Sequence, residues 1–505
     1  MDILHDQDNM VTAKISTNLK ENIDILEALF VECSDVIKRT LVIGNYNKVQ
    51  IYMIYIDGMV NKELLEEDTI KNLIFKMDDL PSDNQYEYIK EKGLRTADIG
   101  ELLTMQNITQ TILSGDTVLL IDGYDKAIKI ASRFYPNRGV PETKTEVVVR
   151  GSKESFSEVL IINRSLIRRR IRDTKLKVKP IQVGVRSKTD ISIMYIEDLV
   201  QEGLVDEIVN KINDYVIDGI FDSGMLEQLT ESSWYSPFPQ VQSTERPDKA
   251  ASAILEGRVV VMVDCSPMVL LFPTTIVSFF QASDDYYNRW ELASITRILR
   301  YIAAFFAIAL PAFYISVINF QPEIIPTPLT LSLAAARDGV PFSVVIEVIV
   351  MEVAFELISE AGIRLPGPMG STVGIVGGLI IGNSAVAANL VSPIIVIIVA
   401  LTAICSFTIP NEAFAQAFRL NRYLLIILSA FLGFYGFLLG IMIIVTHLAG
   451  LKSFGIPYLI PFAVCEVDKN SETRDSILRF PTFALKERPA YANQKQKIKL
   501  RKKNK

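Results

Sequence analysis

Residues 365–411, LPGPMGSTVGIVGGLIIGNSAVAANLVSPIIVIIVALTAICSFTIPN, form a run of 47 residues without one charged side chain. Uncharged apolar runs of 18 or more residues are typical of transmembrane helices, and a run of this length must fold back on itself. The sequence beyond Tyr301 is generally apolar, and the mean hydropathy of the chain is +0.27. This composition excludes a wholly soluble enzyme, a disordered chain and a secreted disulfide scaffold.

The charges separate the chain into an acidic body and a basic end. The 505 residues carry a net charge of −6, whereas residues 486–505 contain nine Lys or Arg against one acid. The acidic balance argues against a nucleic-acid partner. Four scattered cysteines and two histidines predict no disulfide framework, no metal site and no cofactor. The N-terminus has no apolar signal segment, so we expect the region before the apolar half to lie in the cytosol.

Residues 1–245 predict a cytosolic α/β region of two subdomains, roughly residues 45–135 and 145–230. Both halves contain β-branched strand patterns followed by helical spacing. IYMIYIDGMVNKELL from Ile51 aligns without a gap with ISIMYIEDLVQEGLV from Ile191. This internal similarity indicates two subdomains of related design, unless two ordinary strand–helix units match by chance.

A basic segment lies between the two halves and contains Arg168, Arg169, Arg170 and Arg172. It is consistent with a solvated helix face that leads into a half-buried strand. The alternative is a basic docking surface for anionic lipid or for an acidic partner domain. The segment lacks the interleaved aromatic residues of a nucleic-acid interface.

Residues 246–296 predict a linker followed by an elbow on the membrane surface. The linker is expected because residues 231–256 are rich in Pro, Ser and Gln. The elbow is expected because Pro267 and Pro273 interrupt the next uncharged run, and an interior proline costs a helix about 3 kcal/mol.

Residues 297–466 predict an α-helical polytopic membrane domain of about five spans, and residues 467–505 predict a basic cytosolic tail. The expected spans are residues 301–320, 342–359, 371–390, 394–409 and 423–447. Arg297 and Arg300 place the start of the first span in the cytosol. Five spans would put the basic tail outside the cytosol. The predicted number of spans therefore conflicts with the cytosolic location that the positive charges of the tail predict.

Glu347, Glu352 and Glu356 are charged residues within the otherwise apolar residues 342–359. At about 100° per residue, Glu352 and Glu356 share one helix face, and Glu347 lies about 140° from Glu352. Charges at membrane depth face a bundle interior, a water-filled cavity or a partner. Around an oligomer axis they would form a ring of carboxylates, as in cation-selective pores. The alternative is an amphipathic helix at the membrane surface with its glutamates in water.

Two apolar segments carry glycines at intervals of four residues, which let helix backbones approach closely. These are Gly374, Gly378, Gly382, Gly436 and Gly440. Asn383 and Asn389 are polar groups at membrane depth that need partners or water. The pattern is consistent with ordinary helix packing or with a substrate or ion pathway.

Enzymatic activity is not expected. The sequence contains no phosphate-binding loop, dinucleotide-binding fingerprint, nucleophile elbow or zinc-protease motif. The soluble region has carboxylates, but nothing singles out one pair for acid–base chemistry.

Several long stretches resemble the GerA family, the A subunits of bacterial spore germinant receptors. The longest is SPFPQVQSTERPDKAASAILEGRVVVMVDCSPMVLLFPTTIVSFFQASDDYYNRW at residues 236–290. Further matches are VVRGSKESFSEVL and LIRRRI within residues 148–171, PTPLTLSLAAARDGVPF at 326–342, MEVAFELISEAGIRLP at 351–366 and GIVGGLIIGNSAVAANLVSP at 374–393. The resemblance runs from about Tyr46 to Arg488, in the expected order.

This resemblance implies a multipass protein of the inner membrane of the bacterial spore, with its N-terminal region in the spore core. It implies two partners, a transporter-like B subunit that recognises the nutrient and a lipoprotein C subunit. It also implies contact with inner-membrane lipids and a homo-oligomer that conducts cations. Glu347, Glu352 and Glu356 fall within the family's membrane helix, which favours the pore-lining hypothesis.

Three hypotheses about function therefore stand after the sequence. The first is a channel-forming receptor subunit, and the second is a non-conducting scaffold that assembles the receptor. The third is a nutrient-binding receptor with a pocket between the two soluble subdomains. The related accessory germination protein linked to dipicolinate release shares the same sequence blocks.

Overall fold

The computed structural model describes residues 10–94, 98–135, 143, 146–364, 378, 380, 382–463 and 474–501. The chain divides into two compact units. The N-terminal unit comprises Met1–Glu231, Val241–Pro273 and Lys486–Lys505, and the helical unit comprises Ser232–Gln240 and Thr274–Leu485.

The first subdomain of the N-terminal unit is an antiparallel sheet with helices on both faces. Its elements are α1 (Leu19–Leu29), β1 (Val36–Ile43), β2 (Val49–Ile56), a π-helical turn (Leu64–Ile70), α2 (Lys71–Phe75), α3 (Gln85–Tyr88), a second π-helical turn (Ile89–Gly93), β3 (Ile99–Leu102), α4 (Met105–Leu113), β4 (Thr117–Ile121) and β5 (Ala127–Ile130). The strand order is β1-β2-β4-β5-β3. Alternate residues of β2 bury towards α1 and α4 on one face, and towards α2 and α3 on the other.

The second subdomain repeats this plan. Its elements are α5 (Leu160–Arg170), β6 (Leu176–Val183), β7 (Thr189–Ile196), α6 (Leu204–Asn213), α7 (Ser223–Thr230), β8 (Gln242–Thr244), α8 (Pro247–Leu255), β9 (Val259–Val263) and β10 (Val269–Phe272). The strand order is β6-β7-β9-β10-β8. Helices α5 and α8 pack on one face, in the positions that α1 and α4 take in the first subdomain.

Equivalent side chains make equivalent hydrogen bonds in the two subdomains. The Asn22 side chain bonds the backbone N–H and C=O of Ser16, and Asn163 does the same at Ser157. Asp122 accepts from the first N–H of α1, and Asp264 accepts from the first N–H of α5. Because both sets keep almost the same spacing in sequence as the repeated strand pattern, we attribute the similarity to related design rather than chance. The α/β prediction is confirmed.

Residues 241–273 correct the predicted linker and elbow, because they form β8, α8, β9 and β10. Strands β9 and β10 are fully buried in the second sheet. The prolines do not break a helix here. Pro267 lies in the turn between β9 and β10, and Pro273 follows the end of β10. The first subdomain also begins earlier than predicted, at α1.

The helical unit contains the apolar half of the chain. Its elements are α9 (Ile276–Phe280), α10 (Asp284–Tyr287), α11 (Trp290–Phe320), a 3-10 turn (Pro322–Ile324), α12 (Thr327–Ala335), α13 (Val344–Arg364), α14 (Pro393–Phe407), α15 (Glu412–Gly450) and a short hairpin of β11 (Lys452–Ser453) and β12 (Ile456–Pro457). Its core joins apolar residues of α9, α11, α13, α14 and α15.

Within the described residues, only α11 and α15 are long and apolar enough to cross a membrane. The predicted count of about five spans is therefore not confirmed. Helix α14 has 15 residues, which is short for a span. Helix α13 carries several acidic residues, and nine of the twenty residues in the predicted span at residues 371–390 lie outside the described residues.

Helix α15 is two helical arms joined by a reversal at Gly433. The backbone there has φ 62° and ψ −140°, a conformation open to glycine alone. A Cβ on Gly440 would lie 2.5 Å from Leu425, and a Cβ on Gly436 would lie 2.1 Å from the Leu428 carbonyl oxygen. Residues 425 and 440 would be about 22 Å apart in a straight helix. The arms, residues 412–432 and 434–450, must therefore pack antiparallel.

Both free ends of this helical hairpin lie together. Phe238 contacts Phe414 and Phe418 at the start of the first arm, and its ring centroid is 6.2 Å from that of His447 near the end of the second arm. Ser236 also hydrogen-bonds His447 at 2.9 Å. Residues 423–447, which were predicted as a single span, therefore belong to two antiparallel arms. The second arm ends beside the start of the first.

Replacing Gly433 with Ala tests this reversal. The added Cβ would meet Phe320 at 2.7 Å and would occupy a strained backbone conformation, so we expect the helical unit to lose about 1–3 kcal/mol of stability. Thermal unfolding of the detergent-solubilised chain measures the loss. Gly450→Ala is the matched control, because a Cβ there has no neighbour within 4 Å. Equal melting temperatures for the two variants would contradict the hairpin.

Candidate functional site in the helical unit

Helix α13 holds four glutamates, and the first is buried against the loop that precedes α14. The Glu347 side chain is fully buried and accepts a hydrogen bond of 2.8 Å from the Ser392 backbone N–H. Its other oxygen is 3.3 Å from an Arg337 guanidinium nitrogen. This carboxylate therefore ties the start of α13 to the segment before it and to the start of α14.

Glu352 forms a buried ion pair with the first arm of α15. Its carboxylate lies 3.2 Å from Arg422, and both side chains are 1% exposed. Neither Glu352 oxygen has a hydrogen bond of good geometry among the described residues, and the same holds for two Arg422 nitrogens. The pair is therefore held by charge, with unused hydrogen-bonding capacity on both partners.

Glu356, one helical turn further along, shares an arginine with another carboxylate. Arg419 lies 3.3 Å from Glu356 and 2.6 Å from Glu412 at the start of α15. The Glu356 side chain is 40% exposed, and Glu360 on the next turn is exposed. One face of α13 thus leads from a buried carboxylate at Glu352 to an accessible one at Glu360.

This geometry bears on both alternatives for the acidic helix. The surface-helix alternative requires the glutamates to lie in water, but Glu347 and Glu352 are buried. A carboxylate ring around a pore requires free carboxylates, but each of the three sequence-predicted glutamates has an arginine within 3.3 Å in the single chain. The structure therefore shows a set of neutralised charges on α13.

The remaining predicted residues of the helical unit divide by role. Gly436 and Gly440 lie where the two arms of α15 approach each other closely. A Cβ on Gly382 would lie 3.4 Å from Val396 of α14, and a Cβ on Gly378 would meet nothing within 4 Å. Gly374 lies outside the described residues. Asn383 and Asn389 are exposed in the single chain.

The arginines of the predicted basic docking surface have partners within the N-terminal unit. Arg168 is fully buried and makes two hydrogen bonds to Asp35 of the first subdomain, at 2.7 and 2.9 Å. Burial alone would lower the pKa of Arg168, but the Asp35 carboxylate raises it, so the guanidinium stays charged. Arg169 and Arg170 both pair with Glu154, and Arg172 reaches Ser114 at 3.4 Å. Arg168 therefore joins the two subdomains, whereas Arg169 and Arg170 hold the segment around Glu154 against the end of α5.

The arginine partners of the glutamates are the residues that sequence analysis missed. These partners are Arg337, Arg419 and Arg422. The available signal was the scarcity of cations, since residues 301–450 contain four Lys or Arg residues and three of them pair with these glutamates. Among the described residues, no group of His, Cys, Asp or Glu side chains could hold a metal ion.

The joint between the two subdomains contains an open cleft of about 630 Å³. Its lining includes Glu27, Glu32, Lys38 and Lys179, so it presents charges of both signs. The cleft lies where the third functional hypothesis expected a pocket.

The family model described as "Bacillus/Clostridium GerA spore germination protein" matches residues 24–491. The chain belongs to the GerA family. It is 38% identical over 485 residues to spore germination protein KA of Bacillus subtilis, covering 96% of this chain and 88% of that protein. It is also 38% identical to spore germination protein A1 of the same organism, covering 94% of this chain and 96% of that protein.

Two further GerA-family similarities extend this comparison. An uncharacterized membrane protein of Bacillus subtilis, YfkQ, is 38% identical over 94% of this chain and 91% of its own length. The crystal structure of the N-terminal domain of the A subunit of the Bacillus megaterium spore germinant receptor GerK3 matches with a TM-score of 0.40 and 27% identity. That match covers 51% of this chain and 96% of the crystallised domain.

Removing one partner of the buried pair in this GerA-family chain should be more damaging than removing both. Arg422→Met leaves the Glu352 carboxylate buried without a cation, so we expect a loss of about 3–5 kcal/mol. Glu352→Gln/Arg422→Met replaces both charges, so we expect a much smaller loss. Melting temperatures of the detergent-solubilised variants give the comparison, and additive losses in the double variant would show that the two side chains do not interact.

Proposed function

We propose that this GerA-family chain is the membrane subunit of a spore germinant receptor that oligomerises into a nutrient-gated cation channel. The observation that carries the proposal is the row of carboxylates on α13, an apolar helix with few other charges. Carboxylates are the groups that line cation-selective pores. Glu356 and Glu360 are the accessible members of this row in the single chain.

The arginine partners give the closed state a physical basis. With Glu352 held by Arg422 and Glu356 shared with Arg419, the row offers little net negative charge to a cation. Opening then consists of moving α13 relative to the first arm of α15, so that the carboxylates face the oligomer axis. Nutrient binding elsewhere in the receptor needs only to favour that second arrangement.

The hairpin in α15 supports a topology in which the basic tail lies in the cytosol. The arms are roughly 31 and 25 Å long at 1.5 Å per residue, so both approach the thickness of a membrane core. Two crossings in place of one return the chain to the cytosolic side. This agrees with the positive charges of the tail and with its inclusion in the N-terminal unit.

The same proposal assigns location and partners. The chain would lie in the inner membrane of the spore, with the N-terminal unit in the spore core. A transporter-like B subunit and a lipoprotein C subunit would complete the receptor. The non-conducting scaffold and the accessory protein linked to dipicolinate release are the competing proposals, since both would use the same fold without an ion path.

The accessible carboxylate separates these proposals. We expect Glu356→Gln to lower the cation selectivity and conductance of the purified chain in planar bilayers, and to slow nutrient-triggered ion release from spores. The reason is that the substitution removes a negative charge from the ion path and leaves the size of the side chain almost unchanged.

Glu412→Gln is the matched control, because it removes a carboxylate from the same Arg419 without changing α13. The control should conduct as the parent chain does. A parent chain that is electrically silent but still supports germination would favour the scaffold. A conducting parent chain with unchanged selectivity in Glu356→Gln would exclude this residue from the path.

A further inference from the structure

The two subdomains of the N-terminal unit meet through helix α5. Ile161 of α5 packs on Gly58, where an added Cβ would lie 2.6 Å from the Ile161 side chain. Further along the same helix, Arg168 makes its buried pair with Asp35. The first subdomain thus presents a face containing Asp35, Gly58 and Ser114, and α5 of the second subdomain covers it.

The second subdomain has an equivalent face, which a different segment covers. Lys175, Asp198 and Glu256 occupy the positions of Asp35, Gly58 and Ser114. The C-terminal tail, residues 486–501, lies over this face. Its Ala492 Cβ is 2.8 Å from where a Cβ on Gly257 would be, and its Lys499 pairs with Glu256 at 3.2 Å. The Asn493 N–H also donates to the Leu199 carbonyl, and Tyr491 is buried.

Helix α1 of the first subdomain is the counterpart of α5. Lys20 and Glu27 take the positions of Ile161 and Arg168, two turns apart on one helix face, and both are exposed. If α1 covered the second face as α5 covers the first, Glu27 would meet Lys175 and Lys20 would meet Asp198. Both pairs are of opposite charge. In the Glu27–Lys175 contact the acidic residue would lie on the helix and the basic residue on the covered face, which is the reverse of the Arg168–Asp35 pair.

We propose that α1 of one copy of this chain docks on the Lys175–Asp198 face of another copy, and that the C-terminal tail caps this face in the single chain. Such a joint is head-to-tail, because each copy contributes a different surface, and repeated head-to-tail joints form a ring when the rotation between copies closes. The tail would act like the capping repeat at the end of a repeat protein, because it covers a face that would otherwise associate with another copy. The inference concerns the N-terminal unit and does not require the chain to conduct ions.

Cysteine cross-linking of the full chain in membranes tests the joint. The probe is the pair Glu27→Cys and Lys175→Cys, with disulfide-linked dimer measured on oxidation. We expect several-fold more dimer when Ala492→Arg is added, because an arginine does not fit over Gly257 and lifts the tail. Lys495→Ala is the control that should leave the dimer unchanged, since the Lys495–Glu202 pair is 81% and 79% exposed.

The arrangement of the charges distinguishes this joint from nonspecific association. Lys175→Glu with Asp198→Lys preserves the ion pair of 2.9 Å within the chain but reverses the charges that face α1. Chains with Ala492→Arg, in which the tail no longer caps the face, should lose self-association in light scattering when they also carry this swap. Adding Lys20→Glu with Glu27→Lys to these uncapped chains should restore it. Association that ignores the swap, or an uncapped chain that cross-links no more than the capped one, overturns the proposal.

Folding of the uncapped chain is checked independently. Cys33 is buried at the first joint and Cys265 is exposed, so a folded variant reacts with a maleimide at Cys265 and not at Cys33. If Ala492→Arg exposes Cys33, a chain ending at Leu485 replaces it. A synthetic peptide of residues 486–501 should then suppress the cross-link several-fold, and failure of the peptide to compete would also overturn the proposal.

Discussion

The arrangement of the helical unit depends on the cost of taking a carboxylate out of water. An unpaired buried charge costs several kcal/mol, whereas a charge beside a cation is tolerated. Glu347 meets Arg337, and Glu352 and Glu356 meet Arg422 and Arg419. The last two arginines lie on the first arm of α15, so the ion pairs determine which face of α13 packs towards that arm. An apolar contact would allow several rotations of α13, but these pairs allow one.

The same constraint explains what the sequence could and could not predict in this half. An apolar run with three glutamates predicts buried or partnered charges, and the structure agrees. The sequence does not reveal which cation pairs with each glutamate, because Arg422 and Glu352 lie on different helices, far apart along the chain. It also does not reveal the reversal at Gly433, since a glycine in a continuous apolar run is equally compatible with an unbroken helix. The contact of Gly440 with Leu425 distinguishes the two.

In the N-terminal unit, the alternation of apolar and polar residues predicted the central strands of both sheets. The similarity between Ile51 and Ile191 identified β2 and β7, which have the same position in both strand orders. The last part of the second subdomain was missed because Pro, Ser and Gln outweighed two short apolar strands. A comparison extended with a shift of two residues would have matched β4 and β5 with β9 and β10. The buried pairing of Arg168 was missed for another reason. The sequence does not distinguish an exposed basic helix from one that is buried on Asp35.

The course of the chain gives the second subdomain a special position. The chain passes between the two units after Glu231, Gln240, Pro273 and Leu485. Each of these passages adjoins the second subdomain or the tail that covers it, whereas the first subdomain has no direct covalent link to the helices. A change in the first subdomain can therefore reach the helical unit through the α5 joint, where Arg168 and Asp35 are fully desolvated. A buried ion pair is either made or lost, so this joint favours two discrete arrangements over a continuous range.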